Sequence, residues 1–79
     1  MAAKAFVLIE TNVGKTKDVV DKIKQLKGVK SVDPVTGPYD IITIVEGKSL
    51  TAIGDLVTDG IHPIPSISRT GTYLVIWRD

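Results

Sequence analysis

Residues Ala3–Thr11 read AKAFVLIET, a run in which apolar side chains occupy both of the alternating faces that a β-strand presents. A second stretch, Asp40–Glu46 (DIITIVE), has the same character, as does the run TYLVIW at Thr72–Trp77. A sheet with one face in water alternates apolar with polar residues instead. These stretches therefore predict strands in a sheet that is buried on both faces.

The segments between these strands predict two helices and one further strand. Apolar residues recur at helical spacing after the turn at residues 12–14, and Gly28 is placed to end this first helix. Pro34 cannot donate a hydrogen bond to a neighbouring strand, so strand two is predicted at a sheet edge or at a bulge. The predicted elements are strand one (Ala3–Thr11), helix one (Lys15 to Gly28), strand two (Val29–Thr36), strand three (Asp40–Glu46), helix two (after its N-cap Ser49 and before Pro63) and strand four (Ser66–Trp77).

The order βαββαβ predicts an α+β, ferredoxin-like fold, with a four-stranded antiparallel sheet and both helices on one face. The other face would then expose more contiguous apolar surface than a monomer usually leaves in water. We therefore predict a homodimer in which two sheets pack face to face as a dimeric α+β barrel. The pattern does not decide which face meets the helices, and a monomer with an apolar surface is the alternative. The predicted interface residues are Phe6, Leu8, Ile42, Ile44, Tyr73 and Val75.

Composition limits both the means of stabilisation and the class of function. The 79 residues are enough for one domain, residues 1–79, and contain no cysteine and one histidine, which excludes disulfides and the usual zinc sites. We expect no metal, no cofactor and no membrane span, and the lack of cysteine fits the cytoplasm. The net charge of +1 gives no field that attracts nucleic acid. Direct DNA binding is therefore not expected.

Two segments carry the polar groups of a candidate ligand site. The turn Thr36–Asp40 (TGPYD) brings together backbone N–H groups, a phenol and a carboxylate. Four hydroxyl side chains follow at every second position of strand four, and a period of two places them on one face of the strand. These are Ser66, Ser68, Thr70 and Thr72. The two segments predict either a hairpin turn with a polar strand start or a site for a small amphoteric ligand, in which Asp40 would bind an ammonium group.

The runs GVKSV (Gly28–Val32) and VTGPYDII (Val35–Ile42), followed by the TGT of strand four, resemble the C-terminal effector-binding (RAM) module of the Lrp/AsnC, or feast/famine, transcriptional regulators. The resemblance implies a module that dimerises through its sheets, assembles into rings commonly of four dimers, and binds amino acids between dimers. It places the effector site on Gly37, Tyr39, Asp40, Thr70 and Thr72. Since the chain begins at strand one, we expect a stand-alone module without the helix-turn-helix domain, able to join full-length regulators.

Two other classes of function stay open. Small monooxygenases and isomerases also use sheet-to-sheet ferredoxin-like dimers, and they would need a catalytic group, for which His62 and Tyr73 are the candidates. A ligand-free interaction module for mixed oligomers is the other possibility. We expect no catalytic residue and favour a non-enzymatic module that senses an amino acid and modulates transcription indirectly.

Overall fold

A computed structural model describes residues 2–77 of the chain. Its elements are β1 (Ala3–Thr11), α1 (Thr16–Ile23), β2 (Val29–Pro34), β3 (Ile41–Gly47), α2 (Leu50–Asp55), a π-helical segment (Leu56–Ile61) that continues α2, and β4 (Ile67–Leu74). The order βαββαβ is the predicted one.

The strands form one antiparallel sheet in the order β2-β3-β1-β4. This is the ferredoxin-like arrangement, and the prediction of the fold class is confirmed. Two of the three apolar stretches that predicted the sheet, those of β1 and β3, form its central pair. β2 lies at an edge, as Pro34 indicated, and its register against β3 shifts between Val29 and Ser31.

Both helices pack on the sheet face that carries Ala5, Val7 and Ile9, all fully buried. The core cluster that covers this face is completed by Val19, Val20, Ile23, Ile41, Val45, Ile53, Val57 and Ile61. Burial of a large aliphatic side chain contributes roughly 1.5–3 kcal/mol, so this cluster is the main source of stability. The structure thereby decides which face meets the helices. We call the other side the open face.

The helix boundaries differ from the predicted ones in two places. α1 ends at Ile23, because the amides from Gln25 onward bond three residues back (Gln25 N to Lys22 O, 3.2 Å). This tightens the chain into turns before Gly28 takes a φ of +96°. The second helix begins as predicted, since Ser49 Oγ accepts from Ala52 N at 3.1 Å. It then widens into the π segment, whose end is marked by the bond from His62 N to Val57 O. Within residues 2–77, no helix has both the length and the hydropathy needed to cross a membrane.

Candidate functional site

The turn between β2 and β3 is joined to the end of β1 through Asp40. Its backbone N–H donates to Ile9 O (2.9 Å), and its Oδ2 accepts from both the backbone N–H (2.8 Å) and the hydroxyl (3.3 Å) of Thr11. The Thr11 hydroxyl also lies 2.8 Å from that of Thr16, at the start of α1. Asp40 therefore has a structural role, which ties together one strand end, one strand start and the first turn of a helix.

Tyr39 reaches across the open face from the same turn. Its ring lies under the Arg69 guanidinium, with 5.0 Å between the guanidinium carbon and the ring centroid. Its hydroxyl lies 3.4 Å from where a Cβ on Gly71 would be, and the Tyr73 ring lies 3.3 Å from the same point. Gly71 leaves the space in which the two phenols approach β4.

Glu10 lies beside Arg69, its cross-strand partner in β4. The Arg69 Nη2 to Glu10 Oε2 distance is 3.6 Å, and Ser68 Oγ donates to Glu10 Oε1 at 2.9 Å. A β-bulge causes this contact: Glu10 opposes Arg69 and Thr11 opposes Ile67, which leaves Ser68 as the extra residue. The corner where β1 ends on the open face therefore brings together a carboxylate, a guanidinium and a hydroxyl group.

The two predicted threonines lie on the opposite side of β4 from this corner. Thr70 pairs with Ile9 and Thr72 with Val7, so both share the face that the helices cover. Because β4 is an edge strand, Thr72 is exposed there all the same, and Thr70 Oγ1 lies 3.1 Å from His62 Nε2. Within one chain, the predicted site residues are thus divided between the two faces of β4. Gly37, at a φ of +132°, is exposed in the turn.

The row of four hydroxyls is interrupted by the bulge. Ser66 precedes β4 in a left-handed conformation (φ 76°), and Ser68 bonds Glu10, so only Thr70 and Thr72 keep the predicted period of two. The sequence reasoning did not single out Arg69, Gly71 or Glu10. The same period of two could have indicated the first two, since they alternate with the threonines along the strand.

The predicted dimer residues form an apolar surface on the open face. Phe6 and Leu8 of β1 lie opposite Ile44 and Ile42 of β3, and Tyr73, which is 58% exposed, lies opposite Phe6 on the other side. Val75, just beyond β4, donates its N–H to Lys4 O at 2.9 Å and continues the same edge. Charged residues flank this surface at both ends: Lys4 paired in register with Glu46, and Glu10 beside Arg69.

The two residues named for the enzymatic alternative do not converge. His62 contacts Thr70 on the helix-covered side, whereas Tyr73 lies over Gly71 on the open face. Within residues 2–77, no group of three or more His, Asp or Glu side chains is arranged to hold a metal ion. A groove of about 450 Å³ lies at the far end of the sheet, lined in part by Gly28, Lys30 and Lys48.

Sequence comparison finds similar proteins among curated transcriptional regulators. The HTH-type transcriptional regulator LysM of Sulfurisphaera tokodaii is 31% identical over 74 residues, which cover 92% of this chain and 52% of the regulator. This chain spans about half the length of the curated relatives it matches. Their names describe transcriptional regulators.

Solved structures of similar length superimpose closely. TTHA0845 from Thermus thermophilus has a TM-score of 0.93 at 34% identity, covering 98% of this chain and 96% of that protein. PHS023 from Pyrococcus horikoshii has a TM-score of 0.88 at 33% identity, covering 99% and 93%. AsnC of E. coli, at 23% identity, shares the fold with a TM-score of 0.90 over 96% of this chain and 52% of its own. The sequence model described as "Lrp/AsnC ligand binding domain" matches residues 4–78, and the chain belongs to that family.

Proposed function

We propose that this chain is a ligand-sensing and oligomerisation module, which binds an amino acid between dimers and modulates transcription indirectly. The observation that carries the proposal is the apolar open face of a ligand-binding domain whose relatives are transcriptional regulators. The module acts in the cytoplasm and without catalysis of its own. With a net charge of +1, it contacts DNA through its partners rather than directly.

The open face supports a homodimer whose two sheets face each other. Its centre is apolar and its two ends are charged, which is the composition of a stable interface with a desolvated core and a polar rim. Twofold symmetry brings the same surface of both copies together and removes both open faces from water at once. Further assembly of dimers into a ring, or co-assembly with full-length regulators, then uses surfaces outside this face.

The effector site of the proposal consists of Gly37, Tyr39, Asp40, Thr70 and Thr72. The turn and the edge strand meet at the same end of the sheet, where Asp40 bonds Ile9 and Thr70 pairs with Ile9. Both segments are at the surface of a single chain, so a neighbouring dimer can cover them and enclose a small molecule. A regulator from Neisseria meningitidis of the same fold, 14% identical, was solved as a complex with L-Met, which makes methionine a natural first compound to test.

The test combines the mass of the assembly with a thermal-shift screen of the twenty amino acids. We expect a dimer or a larger assembly, and a rise in Tm with at least one amino acid. Asp40→Asn keeps an oxygen that accepts from Thr11 but removes the charge, so it should fold and lose the ligand-induced rise. Asp18→Asn, on the exposed side of α1, is the matched control and should keep it. No rise with any amino acid, together with a stable dimer, would favour the ligand-free interaction module instead.

A further inference from the structure

An exposed apolar segment follows β4 at the end of the sheet where β1 begins. Val75 N donates to Lys4 O at 2.9 Å, so the chain still runs beside β1 after β4 ends. The next two side chains, Ile76 and Trp77, are 90% and 77% exposed, and we call them the apolar tail. A packed tryptophan buries about 150–250 Å², and a stable interface hides about 800 Å² on each partner. Burial of this one indole would therefore supply roughly a fifth to a third of that area.

The groove of about 450 Å³ lies at the same end of the sheet. Its lining includes residues around the start of β1 (Ala2), the start of β2 (Gly28 and Lys30) and the end of β3 (Glu46, Gly47 and Lys48). A lysine side chain presents an aliphatic stem, and its ammonium group is attracted to the face of an indole ring. Pockets of about 300–1,000 Å³ enclose whole small molecules, so this groove has room for an indole. It therefore suits a tryptophan side chain both in size and in chemistry.

The symmetry of the proposed dimer decides which groove the tail can reach. Within residues 2–77 of one chain, Trp77 does not pack into the groove, since most of its surface is exposed. β2 and β4 are the two edges of the sheet and run in opposite directions, so β4 ends where β2 begins. When the twofold axis between the sheets runs along the strands, β4 of one copy lies beside β2 of the other and strand ends stay at the same end. The tail after β4 then reaches the groove at the start of the partner's β2.

The same orientation also matches charges at the other end of the two edge strands. Arg69 lies on the open face near the start of β4, and the exposed Asp33, paired with Ile42 of that face, lies near the end of β2. With the axis along the strands, these opposite charges come to the same end of the joined edges. With the axis across the strands, β4 would meet β4, and the apolar tail would lie beside the guanidinium of Arg69. Both the charged and the apolar groups therefore favour the first orientation.

We propose that Trp77 of each copy packs into the groove of its partner, between the side chains of Lys30 and Lys48. This inference rests on the dimer of the proposed function and goes beyond it, because it adds a second contact at the rim of the sheet and names the residues on each side. The contact is reciprocal, so each dimer contains it twice. It fixes the orientation in which the two sheets face each other.

The fluorescence of Trp77 reports on this contact directly, because the chain has no other tryptophan. In the dimer, its emission should lie at a shorter wavelength than that of N-acetyltryptophanamide, and acrylamide should quench it more slowly. Trp77→Ala should raise the dissociation constant of the dimer about thirtyfold or more in sedimentation equilibrium, which is the effect of a hot-spot residue. Val13→Ala shortens a fully exposed side chain in the turn after β1 and should leave the constant unchanged.

Mixed dimers test whether the groove belongs to the partner. Lys30→Glu combined with Lys48→Glu replaces both cations by carboxylates, which the negative face of an indole repels, so this double variant should emit like an exposed tryptophan. Trp77→Ala keeps an unaltered groove and has no tryptophan of its own. Added in excess to the double variant, it should restore the emission at shorter wavelength, with native mass spectrometry to confirm that mixed dimers form. Mixed dimers without this restoration would overturn the inference.

The outcomes separate this inference from the function on which it rests. If the wild type is a dimer whose tryptophan emits like N-acetyltryptophanamide, or if the double variant keeps the wild-type emission, the inference is overturned while the proposed dimer stands. If the wild type is a monomer at micromolar concentration, the proposed dimer fails and the inference with it.

Discussion

The substitution Ile44→Lys tests whether the open face is the dimer interface. Ile44 lies on the central strand β3, opposite Phe6, in the middle of the apolar surface. A stable interface hides about 800 Å² on each partner, roughly 15% of the 5199 Å² that the isolated chain exposes. Twofold symmetry brings this position into the interface from both copies, so a lysine there would be desolvated in each of them.

The expected loss in the free energy of dimer association is the sum of two contributions. Loss of a buried isoleucine side chain from the interface costs about 1.5–3 kcal/mol. Desolvation of an unpaired ammonium group adds several kcal/mol, less whatever the flexible lysine recovers by reaching the rim. A total of about 4 kcal/mol raises the dissociation constant roughly a thousandfold. A dimer that is stable at micromolar concentration would then dissociate.

Sedimentation velocity at micromolar protein measures the effect. The wild type should show at least twice the chain mass of 8.5 kDa, and Ile44→Lys should show the single-chain mass with an unchanged circular dichroism spectrum. Val13→Lys introduces the same group at a fully exposed valine in the turn after β1 and should leave the assembly intact. A wild-type chain that sediments as a monomer, or an Ile44→Lys variant that stays dimeric, would refute the interface.

Two further predictions concern the stability of the fold. Ser49→Ala removes the side-chain acceptor for Ala52 N and should lower the free energy of unfolding by about 1 kcal/mol in chemical denaturation, and no change would mean that water caps α2 equally well. Gly28→Ala should lower the free energy of unfolding clearly more than Gly14→Ala does. Both glycines have a positive φ, but only at Gly28 would a Cβ meet another backbone atom, at 3.0 Å. Equal losses of stability in the two variants would contradict this.

Local signals in the sequence predicted most of the fold. Ser49 caps α2 because an N-cap depends on one side chain and the amides that directly follow it. Pro34 indicated an edge for the same reason, since it lacks the N–H that an inner strand needs. The continuous apolar runs of β1 and β3 marked the two strands that became the centre of the sheet.

The choice of the covered face depended on contacts that no local pattern contains. Both faces of β1 are apolar, and β3 even places a threonine, Thr43, on the covered one. That hydroxyl is satisfied by the backbone oxygen of Ser31, which becomes available where β2 shifts its register. The early end of α1 at Ile23 and the π segment likewise follow from how the helices fit the sheet.

The candidate site, like the fold, was predicted where a local pattern decides and missed where contacts between distant segments decide. Period-two spacing placed Thr70 and Thr72 on one face, and the register agrees, but it also placed Ser68 with them. The bulge at Ser68 adds one residue and turns its hydroxyl toward Glu10, which a regular alternation cannot anticipate. Cross-strand neighbours such as Arg69 and Glu10 are 59 residues apart in the sequence, so their meeting required the topology as well as the pattern.

Assembly and ligand binding should be coupled if the effector is enclosed between chains. A ligand that binds only the assembled form stabilises that form by about 2.7 kcal/mol when its free concentration is a hundred times its dissociation constant. By the same linkage, the separated chain does not bind the ligand. Ile44 is four residues along β3 from Asp40, or about 13 Å at 3.3 Å per residue, so Ile44→Lys leaves the candidate effector site untouched. The variant should therefore give no heat with an amino acid that the wild type binds. If the monomeric variant binds with wild-type affinity, one chain contains the whole site, and the inter-dimer location is wrong.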